Sequence, residues 1–165
     1  MHDIFLQAQS AIGMEYKIKR TNSSDTDFQL LVKKLDAELA QRDGSEHSFF
    51  AQFNKTNSIK HIVVLYESDT AMGCGAIKEY DIETMEVKRM YVLPEKRGKG
   101  AATIVLKELE MWAKELGYSK CILETGKRQP EAIALYYKNN YLVIPNYGQY
   151  KNVENSVCFQ KKLQG

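Results

Sequence analysis

The sequence has no long apolar run. Its longest mainly apolar stretches, such as Ile62 to Tyr66, fall far short of the roughly twenty residues needed to cross a bilayer, so a membrane-spanning protein is not expected. Cysteine is scarce as well. Cys74, Cys121 and Cys158 are odd in number and show no C-x-x-C spacing, which fits neither a disulfide framework nor a zinc site. They are expected to be buried, reduced thiols, and no metal is expected. Runs of like charge and low-complexity tracts are missing, which argues against disorder. Neither sign of charge dominates: 23 basic and 21 acidic side chains leave a formal +2, so the overall balance points to neither nucleic acid nor a membrane surface. The opening residues, Met1 to Met14, contain Asp3 and no Lys or Arg, and so lack the basic start of a secretory signal. A cytoplasmic location is the expectation. What is present is 165 residues with 44% apolar and 27% charged composition, which suits one folded domain over 1–165, with 1–14 a loosely held arm.

Along the chain, Tyr16 to Arg20 alternates apolar with basic residues and reads as a first strand. The polar cluster Thr21 to Asp25 offers helix caps, after which Phe28, Leu31, Val32, Leu35 and Leu39 recur at helical spacing. A short second helix is expected around Phe49, Phe50 and Phe53. Ile62 to Leu65, Met72 to Tyr80 and Glu86 to Leu93 read as a three-strand meander with turns between them. From Ala102 the period changes, and Val105, Leu109, Trp112, Ala113 and Leu116 share a helix face that Gly117 can terminate. Ile122 and Leu123 mark a buried strand. Pro130 opens another helix with Ile133, Ala134 and Tyr137 on its inner face, and Tyr141 to Ile144 and Asn155 to Leu163 close the set as strands. The fold class is α/β (α+β), with a mixed, mostly antiparallel central sheet of about six to seven strands flanked by about four helices.

The chemistry concentrates in Arg97-Gly98-Lys99-Gly100-Ala101-Ala102, between a strand and an amphipathic helix. Glycines let backbone approach a ligand closely, and the free N–H groups of a helix start favour a phosphate. The plainer alternative is a capping turn with solvated Arg and Lys. A P-loop is excluded because Gly98-Lys99 is followed by Gly100 and has no glycine at the required upstream position. A dinucleotide fingerprint would need glycine where Thr103 stands.

These residues resemble the R/Q-x-x-G-x-G/A signature of the GNAT superfamily of N-acetyltransferases, met by Arg97, Gly100 and Ala102. The resemblance continues upstream in Met90-Tyr91-Val92-Leu93-Pro94, similar to the strand beside pantetheine, and downstream in Ala132, Tyr136 and Tyr141, similar to the A-x-x-x-Y helix and its following aromatic. It implies acetyl-CoA as cosubstrate and an amine as acceptor. Acetyl-CoA is then bound by Met90, Tyr91 and Val92, by Arg97, Gly98, Lys99, Gly100, Ala101 and Ala102, and by Gln129, although many members carry Asn at that last place. It also implies Glu86 as a base and Tyr136 as the acid toward the departing thiolate.

A lysine-type amine, with a pKa near ~10.4, must lose a proton before it can attack a thioester, so a carboxylate or an ordered water is required. Glu86 either faces inward to do this or is an exposed carboxylate paired with Lys88 or Arg89. A bulge in its strand, usual in the family, would re-aim the residues beyond it and free N–H groups around Met90 to Val92 for the developing oxygen charge. Cys121 lacks a nearby histidine in sequence, which favours direct attack in a ternary complex over an acyl-cysteine. Acceptor contacts are expected by location from Arg42, Asp43, Glu46, His47 and Phe50, from Thr125 to Arg128, and from Tyr147, Tyr150 and Asn155. A small-molecule acceptor is favoured over a peptide or protein, with the protein a monomer or a homodimer. Two other classes compete: a catalytically degenerate acyl-CoA-binding regulatory module, and RNA binding through Lys96, Arg97 and Lys99, for which no aromatic platform is evident.

Overall fold

The computed structural model describes residues 4–9, 15–43 and 59–164. The strands are β1 (Ile4–Gln9), β2 (Glu15–Thr21), β3 (His61–Glu67), β4 (Thr70–Asp81), β5 (Thr84–Val92), β6 (Lys120–Gly126), β7 (Leu142–Ile144) and β8 (Ser156–Lys162). The α-helices are α1 (Thr26–Asp43), α2 (Ala101–Glu115) and α3 (Pro130–Lys138). One mixed sheet has the order β1-β2-β3-β4-β5-β6-β8-β7. Every neighbouring pair in it is antiparallel except β5 and β6. That parallel pair needs a crossover, which α2 supplies.

The expected mixed, mostly antiparallel sheet and the β3–β4–β5 meander are present. One expectation changes. Residues 4–9 pair with β2 as an eighth strand, where a loose arm was expected. Three α-helices lie among the described residues, and the helix expected around Phe49 to Phe53 falls outside them. None of these helices is long and apolar enough to cross a membrane.

Local chemistry explains the helices. The Asp25 carboxylate accepts the Phe28 N–H at 2.9 Å, so α1 is capped from the polar cluster that precedes it. Its Phe28, Leu31, Val32 and Leu35 bury against Ile62, Val64, Cys74, Ala76 and Tyr91 on one sheet face. On the other face, Val105, Leu106, Leu109 and Ala113 of α2 bury against Val63, Leu65, Ile77, Val87 and Val92. The period-2 alternation of β3 thereby feeds two cores.

At Gly75 of β4, helix and sheet leave no room for a side chain. A Cβ there would stand 2.5 Å from Met90 Sδ, 2.8 Å from Leu109 Cδ1 and 2.9 Å from Val105 Cγ1. Gly75→Ala is therefore expected to destabilise the fold by about 1–3 kcal/mol through overpacking. A lower urea midpoint at unchanged slope is the expected measurement, and an unchanged midpoint would show that α2 has slack.

Candidate active site

The sheet is joined across β5 and β6 by only a short ladder. Residues 84–86 pair with 120–122, and beyond Glu86 no further register is formed. The strands part there, and a cleft of about 450 Å³ opens between them. One wall is β5 from Glu86 to Val92 with the loop into α2; the other is Glu124 to Gly126 with α3, and Leu35, Glu38 and Leu39 of α1 close one side.

A bulge sets what β5 presents. Cys74 faces Tyr91 but Ala76 faces Lys88, so β5 carries one more residue than β4 across that interval, and Arg89 sits at φ 59°. A non-glycine residue in this left-handed region is uncommon and marks the bulge. Side-chain alternation shifts accordingly. Met85 and Val87 before the bulge, and Met90 and Val92 after it, pack on the α2 side. Glu86, Lys88 and Arg89 take the opposite side, where Arg89 Nη2 reaches Asp36 Oδ1 of α1 at 2.5 Å. The N–H of Leu93 goes to Met72 O of the β4 side at 2.9 Å, and alternation along the strand turns the Val92 and Met90 N–H groups to the open edge.

The loop at the start of α2 is built from two left-handed glycines, Gly98 at φ 83° and Gly100 at φ 85°, with open space where a Cβ would stand at either. Gly100 caps α2 without any side-chain hydrogen bond, so the N–H groups of the first turn are not capped by a side chain. They line the cleft together with Arg97, Gly98, Ala101 and Ala102, which is a place for an anion.

Arg97 is engaged in holding the loop in place. Its Nε donates to Val92 O at 2.8 Å and its Nη2 to Glu38 at 2.9 Å, which ties the loop to β5 and α1. Lys99 is exposed and is not among the cleft-lining residues, whereas Met90, Tyr91, Val92 and Gln129 are. Lys96 pairs with Glu67 at 2.7 Å, so two of the three cations weighed for RNA binding already have carboxylate partners.

Glu86 is both inward and paired. Its side chain is 11% exposed, Oε2 accepts the Tyr147 hydroxyl at 2.5 Å, and Oε1 lies 3.6 Å from Lys88 Nζ. Burial first, and then the Glu86 charge, push the Tyr147 phenol well up, so it remains a donor to that carboxylate. On α3, Tyr136 is 5% exposed and lines the cleft, while Tyr137 is 58% exposed; the inner face expected to carry Tyr137 carries Tyr136. Tyr136 makes ring contacts with both Tyr141 and Phe159, at 5.7 Å between centroids, whereas Tyr137 meets Phe159 at 5.3 Å from the exposed side. Burial, then the Glu124 charge, raise its phenol above the usual value.

Cys121 is buried outside the cleft with its thiol pushed up to about 12, mainly by burial. Of the acceptor-side residues named from sequence, Thr125, Gly126 and Tyr150 line the cleft; Arg42 pairs with Glu131 at its rim, and Glu46, His47 and Phe50 lie outside the described residues. Sequence reasoning named Lys88 only as a partner for Glu86, and it missed Glu124 and the Tyr147–Glu86 bond. The last joins residues 61 apart and had no local signal.

Residues 27–141 match the model of the acetyltransferase (GNAT) family. The IAA acetyltransferase of Azospirillum brasilense is 37% identical over 139 residues, spanning 81% of this chain and 88% of that protein. A solved structure from Klebsiella pneumoniae subsp. pneumoniae MGH 78578, described as a candidate acyl-CoA N-acyltransferase, superposes with a TM-score of 0.76 at 29% identity. It covers 90% of this chain and 98% of that one. A GNAT acetyltransferase from Elizabethkingia anophelis, solved with acetyl-CoA bound, shares the fold at a TM-score of 0.67 and 17% identity, covering 90% and 98% of the two chains. With the family model matched over more than half its length, the chain belongs to the acetyltransferase (GNAT) family.

Proposed function

We propose that this protein transfers an acetyl group from acetyl-CoA to a primary amine by direct attack while both are bound, with a small-molecule amine favoured as acceptor. The observation that carries the reading is the parting of β5 from β6 after Glu86, which brings an anion-binding helix start, open-edge strand N–H groups, a buried carboxylate and a buried phenol onto one cleft. Its volume is within the ~300–1,000 Å³ usual for small-molecule sites.

Acetyl-CoA fits the residues present. The α2 turn, open at Gly98 and Gly100, suits the pyrophosphate, and the N–H groups of Met90 and Val92 suit the thioester carbonyl. Bound there, acetyl-CoA supplies an activated acyl group. Glu86 takes the proton that the acceptor nitrogen gives up as the amide bond forms. Tyr136 delivers a proton to sulfur as the C–S bond breaks, and the Met90 and Val92 amides hold the charge that gathers on oxygen in between. The raised Cys121 thiol, outside the cleft, supports direct transfer over a covalent enzyme intermediate.

Release of CoA thiol on mixing the protein with acetyl-CoA and an amine library is the test. No heat of acetyl-CoA binding in calorimetry, and no thiol release with any amine, would sink the reading. Glu86→Gln keeps an acceptor for the Tyr147 hydroxyl but cannot take a proton. It is expected to lower kcat/KM by about 10²-fold at the acid end of the profile and less as pH rises and the free amine becomes abundant. A pH–rate profile matching wild type would make Glu86 structural.

A further inference from the structure

The Lys88 ammonium is not accounted for by the chemistry above. Its side chain lines the cleft yet is only 8% exposed, and the one partner it has among the described residues is Glu86 Oε1, at 3.6 Å. A charge-assisted N–H···O bond is about 2.7–2.9 Å long, so this contact attracts without satisfying a donor. An ammonium has three donors and is costly to bury without acceptors. Other cations of this fold are better served: Lys19 reaches Asp25 at 2.6 Å and Lys161 reaches Glu110 at 2.8 Å. Ordinary alternation along β5 puts Lys88 on the same side as Glu86, and the bulge adds Arg89 to that side. Arg89 spends its reach on Asp36, leaving Lys88 as the cation beside the carboxylate.

We infer that the acceptor is a primary amine bearing a carboxylate, an amino acid or a close analogue, whose carboxylate is bound by Lys88 while its nitrogen lies toward Glu86. The inference rests on the acetyl-transfer reading and narrows its acceptor. The two protein charges, neighbours on one strand face, form a dipole that an amino acid's own ammonium and carboxylate complement in reverse. An amine without the carboxylate leaves Lys88 buried with its long contact only, and that penalty is the source of selectivity.

The probe is a set of matched pairs, each common α-amino acid other than proline, aspartate and glutamate with the amine obtained by removing its α-carboxylate, plus β-alanine and 4-aminobutyrate with ethylamine and propylamine. CoA thiol release is followed with the full chain. At least one carboxylated member is expected to exceed its partner by about 100-fold in kcat/KM, mostly through KM. In Lys88→Met that ratio should collapse toward one, with Lys88→Arg retaining a ratio above ten and acetyl-CoA affinity by calorimetry reporting a folded site in both. If the amines lacking a carboxylate are turned over as well as or better than their partners, the inference fails while acetyl transfer stands. If thiol is released with no member of either kind and acetyl-CoA does not bind, the transfer reading fails with it. A ratio that survives Lys88→Met also overturns the assignment, since selectivity then lies elsewhere.

Discussion

Tyr136→Phe is expected to lower kcat by about 10²–10⁴-fold while acetyl-CoA affinity stays within a few-fold, the signature of losing a proton donor that acts only as the thiolate departs. The structure favours this residue over its neighbour on exposure: Tyr136 is 5% and Tyr137 58% exposed, and only the former lines the cleft. Tyr141 and Phe159, each 5.7 Å away, fix the ring, and both contacts survive in phenylalanine, so the variant should fold. The direction in which the phenol's pKa moves matters. Burial and Glu124 raise it, so Tyr136 is fully protonated throughout neutral pH and donates uphill to a thiolate whose conjugate acid lies near ~8.5. The rate should therefore not fall as pH rises until well above 10. Tyr137→Phe is the control and should change kcat little. Wild-type kcat in Tyr136→Phe, measured where chemistry limits the rate, would remove the phenol from the mechanism.

Gly100→Val is expected to weaken acetyl-CoA binding on the order of 10²-fold or more, the scale of one or two charge-assisted hydrogen bonds. Two effects combine. A β-branched residue at φ 85° strains the turn by about 1–3 kcal/mol, and its side chain occupies the open space in front of the first turn of α2, where the phosphate belongs. Gly117, at φ 95° after the other end of the same helix and equally free of neighbours, separates the two. Gly117→Val should cost comparable stability by thermal unfolding and leave acetyl-CoA affinity unchanged. Equal affinities in wild type and Gly100→Val would mean that the pyrophosphate is held elsewhere.

Features whose physics is local were legible in the sequence. The α2 loop announced itself by glycines ahead of a helix-periodic face, and α1 by its cap and its Phe28, Leu31, Val32 and Leu35 spacing. The bulge was anticipated only through family resemblance, because nothing in Glu86-Val87-Lys88-Arg89 distinguishes a strand with an extra residue from a regular one. Lys88 and Arg89 consequently read only as alternative partners for an exposed Glu86. Arg97 lines the cleft, but its hold on Glu38, 59 residues away on α1, had no signal in the sequence. Tyr137 was placed inward by an apolar pattern that Tyr136 wins through the space left between Tyr141 and Phe159. Each miss turns on a contact between elements that periodicity alone cannot bring together.

The brief β5–β6 ladder divides labour between two stretches of chain. The anion turn, the open-edge amides and Glu86 all come from residues 86–102, whereas Glu124, Thr125, Tyr147 and Tyr150 come from 124–150 across the gap. Mutations at Glu124, Thr125, Tyr147 and Tyr150 can reshape what is held opposite the acyl donor and leave the α2 turn and the Met90 and Val92 amides untouched. A lineage can thus change the molecule it modifies while keeping its source of acetyl groups.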